Sequence, residues 1–543
     1  MRRPFLPQDM HAGTSLAGAA APAQTDQPRD PRRRLVLGAI VGLGACTAAP
    51  SVLRPAAIHF RTDPFTLGVA SGYPTPAGVV LWTRLAPEAT DDVAALETTS
   101  VGVDWRIAED EAFTRVVGRG SATAAPDLAH SVHVEAGGLR PGRDYWYRFE
   151  SGGAASVVGR TRTAPAAIER NARHRLAFAS CAQFEQGWFT AYRDMATQDL
   201  DLVVHLGDYI YESSWGQRHV RKHTGAVPTT LAEFRERYAL YKRDADLRAA
   251  HAALPWLITW DDHEVANDYA NDISPVTRDP ARFLAMRAAA YQAWYEHMPV
   301  PAAFRPKGPD ARIYGRWAFG DLAEILMVDA RQYRSHHVCL PGPSTSTLAD
   351  CPERSAPART MLGMAQEAWL ADALRSSRAQ WSVVAQSTLM AEVDRKPGAE
   401  HGYWMDGWDG YAASRSRVID ALATQPRRNA LVIGGDVHAF YATDLRRDFA
   451  DAKSPVLATE FVGGAITSQG ASPTTIGNLL AKNPQLRYGR ADRRGYGLLT
   501  LERDRCNVEF RMVDDEKQPS SPVRAAARFA VESGRPGVQV SAT

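Results

Sequence analysis

Charge of one sign is scarce in this chain: 63 Lys and Arg stand against 61 Asp and Glu, for a formal net charge of +2. A nucleic-acid-binding protein ordinarily shows a basic face, so that class has no support. Long apolar runs are also missing. The stretch Leu35 to Ala45 falls short of the about 20 residues that a membrane-spanning helix requires. No internal repeat is apparent, which excludes solenoid and propeller arrays. Cysteine is rare, five in 543 residues and an odd count, so no disulfide framework holds the chain together.

What is present divides unevenly. Residues 1–59 read as a leader. The first 30 are rich in Ala, Gln, Pro and Thr and carry no structural pattern. Pro31-Arg32-Arg33-Arg34 then precedes the short apolar segment, the arrangement of a twin-arginine export signal that would engage the twin-arginine translocase. Leu43-Gly44-Ala45-Cys46 also fits a lipoprotein processing site with a lipid anchor on Cys46; cleavage around Ala48 or Ala49 is the alternative. Export would deliver a periplasmic, extracellular or cell-surface protein. In such an oxidising compartment Cys339 and Cys351, flanking a Pro/Ser/Thr-rich loop, can pair, which leaves Cys506 as a buried core thiol.

Residues 60–165 show short alternating runs such as Gly78 to Arg84 and Val101 to Ile107, broken by Gly and Pro. Leu139-Arg-Pro141-Gly-Arg-Asp-Tyr145 resembles the tyrosine corner of a fibronectin-type sandwich. An all-β, fibronectin/immunoglobulin-like N-terminal domain is expected there. From 172 to 515 strands alternate with helical segments at Leu231 to Ala250, Pro280 to His297 and Gln366 to Ser376, which predicts an α/β layered domain. Residues 516–543 read as a C-terminal extension, with Arg524 to Glu532 as a short closing helix.

Four apolar strands in that second region end in metal-ligand chemistry. Arg175 to Ser180 ends at Cys181. Leu200-Asp-Leu-Val-Val204 leads to His205-Leu-Gly-Asp208-Tyr-Ile-Tyr211-Glu212. Leu257-Ile-Thr-Trp260 leads to Asp261-Asp262-His263-Glu264, and Ala430 to Gly434 leads to Gly435-Asp436-Val437-His438. Open α/β sheets hold their ligands at the carboxyl ends of their strands. One such cluster is ordinary turn chemistry; four point to a multinuclear metal site.

The ordered set Ser-Cys, Gly-Asp-Tyr-x-Tyr-Glu, Trp-Asp-Asp-His-Glu and Gly-Gly-Asp-Val-His resembles the PhoD-like alkaline phosphatases, relatives of the calcineurin-like metallophosphoesterases. Val328-Asp-Ala-Arg-Gln-Tyr333-Arg, Arg359 to Leu370 and Gly407-Trp-Asp-Gly410-Tyr411 extend the likeness over nearly everything from Phe60 to Asp515. It implies a metallophosphoesterase-type layered sandwich and hydrolysis of phosphate esters (monoester, diester or phospholipid) by a metal-activated water. Asp208 would bridge the metals. Cys181, Tyr211 and His438 supply thiolate, phenolate and imidazole, which suit Fe³⁺; Asp262 and Asp436 supply oxygen only, which suits Ca²⁺. The wider superfamily has Asn and His at those last two positions, and the PhoD-like family is associated with iron plus calcium. Gln386 falls where the superfamily places a further ligand. The resemblance makes His263 a phosphate-contacting or proton-donating group, catalytic together with Asp208; by position alone it is equally a hydrogen-bond donor behind the ligands.

Several neighbours stay open at this level. Asn267 and Asp268 are calcium ligands or capping groups, and Glu212 supports the ligands rather than joining them. Arg331 and Arg334 bind phosphate or pair structurally. Trp404, Trp408 and Tyr411 are expected to wall the cleft. Two other functions compete with the phosphatase: a phospholipase D-type phosphodiesterase, and a catalytically silent surface-binding protein, against which the intact ligand set argues.

Overall fold

The computed structural model describes residues 58–340, 342 and 344–540; the twin-arginine segment and Cys46 lie outside the described residues. Two large sheets stand at the centre. The first has ten strands, in the order Arg535–Val540, Val523–Glu532, Arg505–Val513, Arg494–Glu502, Arg173–Ala179, Leu202–His205, Pro255–Ile258, Val69–Thr75, Gly78–Arg84 and Ser131–Gly137. Its four middle strands, from Arg173–Ala179 to Val69–Thr75, run parallel, and the outer pairs are antiparallel. The second has seven strands around a parallel core of Ala323–Met327, Trp381–Ala385, Ala430–Gly434 and Val456–Gly463.

Strand periodicity explains the layering. In the second sheet Ile325, Met327, Val383, Ala385, Leu431 and Ile433 join Phe178, Val203 and Ile258 of the first sheet in one core. The alternate residues Leu326, Val384 and Val432 instead pack with Leu370 and Leu374 of helix Met364–Arg375 and with Val418 and Ile419 of helix Ala412–Leu422. The helices Thr190–Thr197, Leu231–Lys242, Ala245–Ala253 and Pro280–His297 pack into the core of the first sheet. The result is helix, sheet, sheet, helix: both parallel cores are buried on two faces, as crossover connections require.

The β-rich N-terminal region shares strands with the ten-stranded sheet. A five-stranded sheet built on Val101–Ala108, Val116–Ala124 and Asp144–Ser151 encloses a core of Val69, Leu81, Val103, Val134, Tyr145 and Phe149. The other half of that core comes from Val69–Thr75, Gly78–Arg84 and Ser131–Gly137, the end strands of the ten-stranded sheet. Val69–Thr75 is stitched to Pro255–Ile258 by Tyr73, whose hydroxyl donates to the Ile258 carbonyl at 2.7 Å and accepts from its N–H at 3.2 Å. The tyrosine corner is formed: the Tyr145 hydroxyl accepts from the Arg140 N–H at 2.9 Å.

Two expected elements differ. Arg524 to Glu532 is a strand, not a helix, within Val523–Glu532, and it hairpins through Gly534 into Arg535–Val540. Ala527, Phe529 and Val531 are the buried residues, a period of two that outweighs the helix propensity of the Arg/Ala-rich run. The segment Leu231 to Ala250 is two helices, because the Asp244 carboxylate caps a new start by accepting from the N–H groups of Asp246 and Leu247. The Cys339–Cys351 disulfide is present, and Cys506 lies buried in the core. Among the described residues no helix is long and apolar enough to cross a membrane.

Candidate metal centre and active-site cleft

The parallel strands of both sheets release their polar residues at one end, and the chain pays for this in backbone strain. Cys181, Asp208, Asp268, Asp436 and His438 all have positive φ, between 49° and 64°, a region that non-glycine residues seldom occupy. Such strain persists where surrounding structure over-determines it, and it clusters at functional sites. Gly207 makes the turn before Asp208: its φ is 108°, and a Cβ there would lie 2.5 Å from the Asp261 backbone N.

Ligand-capable atoms of Cys181, Asp208 and His438 lie within 4.8 Å of one another, as do those of Asp208, Asp262 and His263, and of Asp208, Asp261 and Asp436. Asp208 belongs to all three groups. The Tyr211 hydroxyl is 2.8 Å from Asp208 Oδ2 and 3.1 Å from His438 Nε2, and it accepts from the Ser468 hydroxyl at 2.8 Å. His438 Nδ1 lies 2.9 Å from the Gln469 carbonyl and donates to it, which leaves Nε2 with a lone pair facing the cluster. Sulfur, phenol oxygen, imidazole nitrogen and a shared carboxylate thus converge. The Asp208 Oδ1 and Asp261 Oδ2 atoms are buried without a hydrogen-bond partner, as oxygens intended for a cation would be.

Electrostatics agrees with that donor chemistry. Burial, and then the charges of Asp262, Asp261 and Glu264, push the Asp208 carboxyl well above the usual range against the pull of His263. Asp436 is raised by burial and by Asp261. Burial and the Asp208 charge raise the Cys181 thiol and the Tyr211 phenol likewise. Asp262 is the exception: against its burial, Arg331 and His263 hold it down to about 2. The other four lack such compensation and fit metal ions.

The expected residues come together, with exceptions. Asp262 accepts from the N–H groups of His263 and Asp268 and lines the cleft beside Asp436. His263 sends Nδ1 to the Glu212 carboxylate at 2.6 Å, and Glu212 also accepts from the Asn267 N–H. Burial would lower the His263 pKa, but the carboxylates of Glu212, Asp262 and Asp208 raise it well above its usual value. Asp268 lines the cleft and accepts from the Thr345 hydroxyl; burial and the charge of Asp406 push it up to about 8.

Gln386 does not line the cleft. Its Oε1 accepts from the Thr388 N–H at 3.0 Å and from Trp408 Nε1 at 3.1 Å, because the turn after its strand folds back on the amide. Trp408 and Tyr411, expected as cleft walls, are buried, and Tyr411 donates to the Ser335 carbonyl. Trp404 does line the cleft. Arg331 and Arg334 are fully buried and pair with Asp406, and Arg331 also with Asp261.

Sequence reasoning passed over three groups. Glu264 accepts from the N–H groups of Asp208, Tyr209 and Asp261 and so holds two ligand loops together. Asp261 offers the unpartnered oxygen described above. Trp215 stacks on His438, with ring centroids 5.4 Å apart. The motif Asp261-Asp262-His263-Glu264 contained the first two, but period and charge alone cannot say which of adjacent acids faces inward. The cleft above these groups has a volume of about 440 Å³ and is bounded also by Ser346, Leu348, Arg395 and Gln469.

Comparison with known proteins places this geometry. The family described as PhoD-like phosphatase matches residues 176–510, and its N-terminal domain family matches residues 49–165. Alkaline phosphatase D of Bacillus subtilis (strain 168) is 42% identical over 527 residues, covering 94% of this chain and 89% of that protein. A solved structure of PhoD superposes with a TM-score of 0.85 at 41% identity, over 90% of this chain and 94% of that one.

Proposed function

The chain belongs to the PhoD-like phosphatase family, and from that premise we propose that the cleft centred on Asp208 hydrolyses phosphate esters with bound metal ions. The protein is a phosphoric ester hydrolase of the alkaline phosphatase/phosphodiesterase kind. The observation that carries the metal reading is the convergence of Cys181, Tyr211, His438, Asp262 and Asp436 on one carboxylate, Asp208.

Cys181, Tyr211 and His438 would hold Fe³⁺, Asp262 and Asp436 would hold Ca²⁺, and Asp208 would serve both. Such ions supply positive charge for phosphoryl oxygens and acidify water at neutral pH. The chain's own contribution is positioning and a proton. Glu212 fixes the His263 ring through Nδ1, so the proton on Nε2 is free for a phosphoryl oxygen or the departing alcohol. Glu264 fixes the loops that carry Asp208 and Asp261 through three N–H groups, which keeps the donors in place before substrate arrives.

Hydrolysis of an aryl phosphate and a bis-aryl phosphate tests the reading. Activity should vanish on chelation and return with iron plus calcium. Undiminished turnover in exhaustively chelated, metal-free protein would contradict it.

Export by the twin-arginine route, with Cys46 as an acyl site, is the companion proposal. The Cys339–Cys351 disulfide supports an oxidising destination. Replacing Arg32 and Arg33 by Lys should leave the precursor in the cytoplasm; normal export of that variant would refute the route.

A further inference from the structure

Most of the buried arginines around the cleft hold an ion pair or hydrogen bonds. Arg331 and Arg334 close on Asp406, and Arg415 takes Asp409 and Glu392. Arg237 donates to the carbonyls of Tyr211 and Glu212, and Arg494 to those of Ser468 and Ala491. Arg395 differs. Among the described residues its guanidinium forms no ion pair and no hydrogen bond; its Nε is buried without a partner, as are Nη2 of Arg331 and Arg334 and Nε of Arg237 and Arg494. It is also the one Lys or Arg among the described residues that bound the cleft.

The setting of Arg395 is built rather than loose. Its N–H donates to the Gly402 carbonyl at 2.8 Å, and the Gly402 N–H returns to the Asp394 carboxylate at 3.0 Å, which closes the loop at its base. The chain then runs into Trp404, which pairs with Leu348 of the disulfide-closed segment. The Arg395 guanidinium carbon lies 5.3 Å from the Trp404 ring centroid. Arg395, Trp404, Leu348 and Ser346 therefore make one wall of the cleft from loops that carry none of the candidate metal ligands.

A planar guanidinium with open donors, stacked on an aromatic ring and partly desolvated, is suited to an oxyanion. On the phosphoesterase reading, the reacting phosphoryl group would take its positive charge from the metal ions held around Asp208. We propose that Arg395, backed by Trp404, is a specificity-determining residue that binds a second anionic group, a phosphate or carboxylate, on the alcohol portion of the ester. The inference rests on the phosphoesterase reading and names the substrate class within it. Stacking on Trp404 alone does not account for it, because a face contact leaves the buried Nε donor unsatisfied.

Steady-state kinetics of the full-length, metal-loaded protein test it with three probes: a plain aryl phosphate, its ring-carboxylated analogue and an analogue bearing a second phosphate. Arg395→Met should raise KM about tenfold or more for an anionic probe with kcat unchanged, as loss of a charged hydrogen bond to the ground state does. The plain probe should be unaffected. A rise for only one of the anionic probes supports the proposal and names the anion. Arg395→Lys keeps the charge without the fork, should show a smaller KM shift, and serves if the Met variant fails to fold. An equal fall of kcat on all three probes would put Arg395 on the reacting phosphoryl group and overturn the proposal. Unchanged parameters on all three would make it packing for Trp404 and overturn it too. Wild-type protein inert towards every phosphate ester would instead sink the phosphoesterase reading.

Discussion

Two buried carboxylates of this fold shift in opposite directions. Asp406 is fully buried and receives Arg331 Nη1 at 2.9 Å to each oxygen, Arg334 Nη1 at 2.9 Å and His337 Nε2 at 2.7 Å. Burial alone would raise its pKa, but the Arg331 and Arg334 guanidiniums, with the His337 hydrogen bond, hold it far below the usual carboxylate range. Asp208 is as deeply buried, yet its surroundings are mostly acids, one oxygen has no partner, and its pKa is driven up. The lesson concerns partners rather than depth. A buried acid that the protein neutralises itself is a structural tie, and one left short of positive charge is a place for something the chain does not encode.

The comparison breaks most sharply in turnover. Asp208→Asn keeps the shape and removes the charge, so phosphate-ester turnover should fall roughly a thousandfold, the scale of a lost transition-state electrostatic contact. In chelated protein the same change relieves acid crowding, so the thermal midpoint should hold or rise. A fall there would place Asp208 in the same class as Asp406.

Asp406→Ala should do the reverse. It strips the counter-ion from buried Arg334 and part of that from Arg331, which costs about 3–5 kcal/mol of stability. Urea denaturation should show a markedly lower midpoint in both metal-loaded and chelated protein; an unchanged midpoint would remove Asp406 from the structural side.

Tyr211→Phe is smaller again. It deletes the hydroxyl that, on the proposed metal site, would serve as an anionic donor, while keeping ring packing, and turnover should drop roughly a hundredfold. A visible absorption band due to a phenolate on Fe³⁺ should change with it. An unaltered spectrum with near-normal turnover would return Tyr211 to the core.

Glu460 is an intermediate case, buried with neutral donors only: the Met390 and Ala391 N–H groups, the Thr443 hydroxyl and the Gln386 amide. Burial pushes it from 4.5 to about 7. A raised acid binds its proton more tightly in the folded state, so its contribution to stability is full below pH 4.5 and is lost as pH rises through about 7. Glu460→Gln should flatten the pH dependence of the unfolding free energy over that window, whatever it does to absolute stability. A slope as steep as that of the parent protein would assign the titration elsewhere.

Much of this was legible before any coordinates. The strand ends at Cys181, Asp208, Asp262 and Asp436 stand out because a buried parallel strand must be apolar, so a candidate ligand just beyond it is conspicuous. The layered fold follows from the same alternation. What stayed hidden depended on direction and distance. Asp261 and Asp262 are adjacent, and only the fold shows that the first gives one oxygen to Arg331 and leaves the other free. Gln386 and Trp408 sit where a ligand and a cleft wall were expected but satisfy each other. Val523–Glu532 became a strand through pairing with Arg505–Val513, a long-range contact that local propensity does not contain. Arg395 carries no motif; it stands out only in the fold, as the one Lys or Arg among the described residues that bound the cleft.

The central claim, that a cluster short of positive charge is a metal centre sorted by donor softness, meets its most direct test in elemental analysis of protein purified without chelator. The account predicts about one iron and at least one calcium per chain, from one thiolate, phenolate and imidazole set and one carboxylate set. Stoichiometric zinc without iron, or no bound metal in active protein, would contradict it.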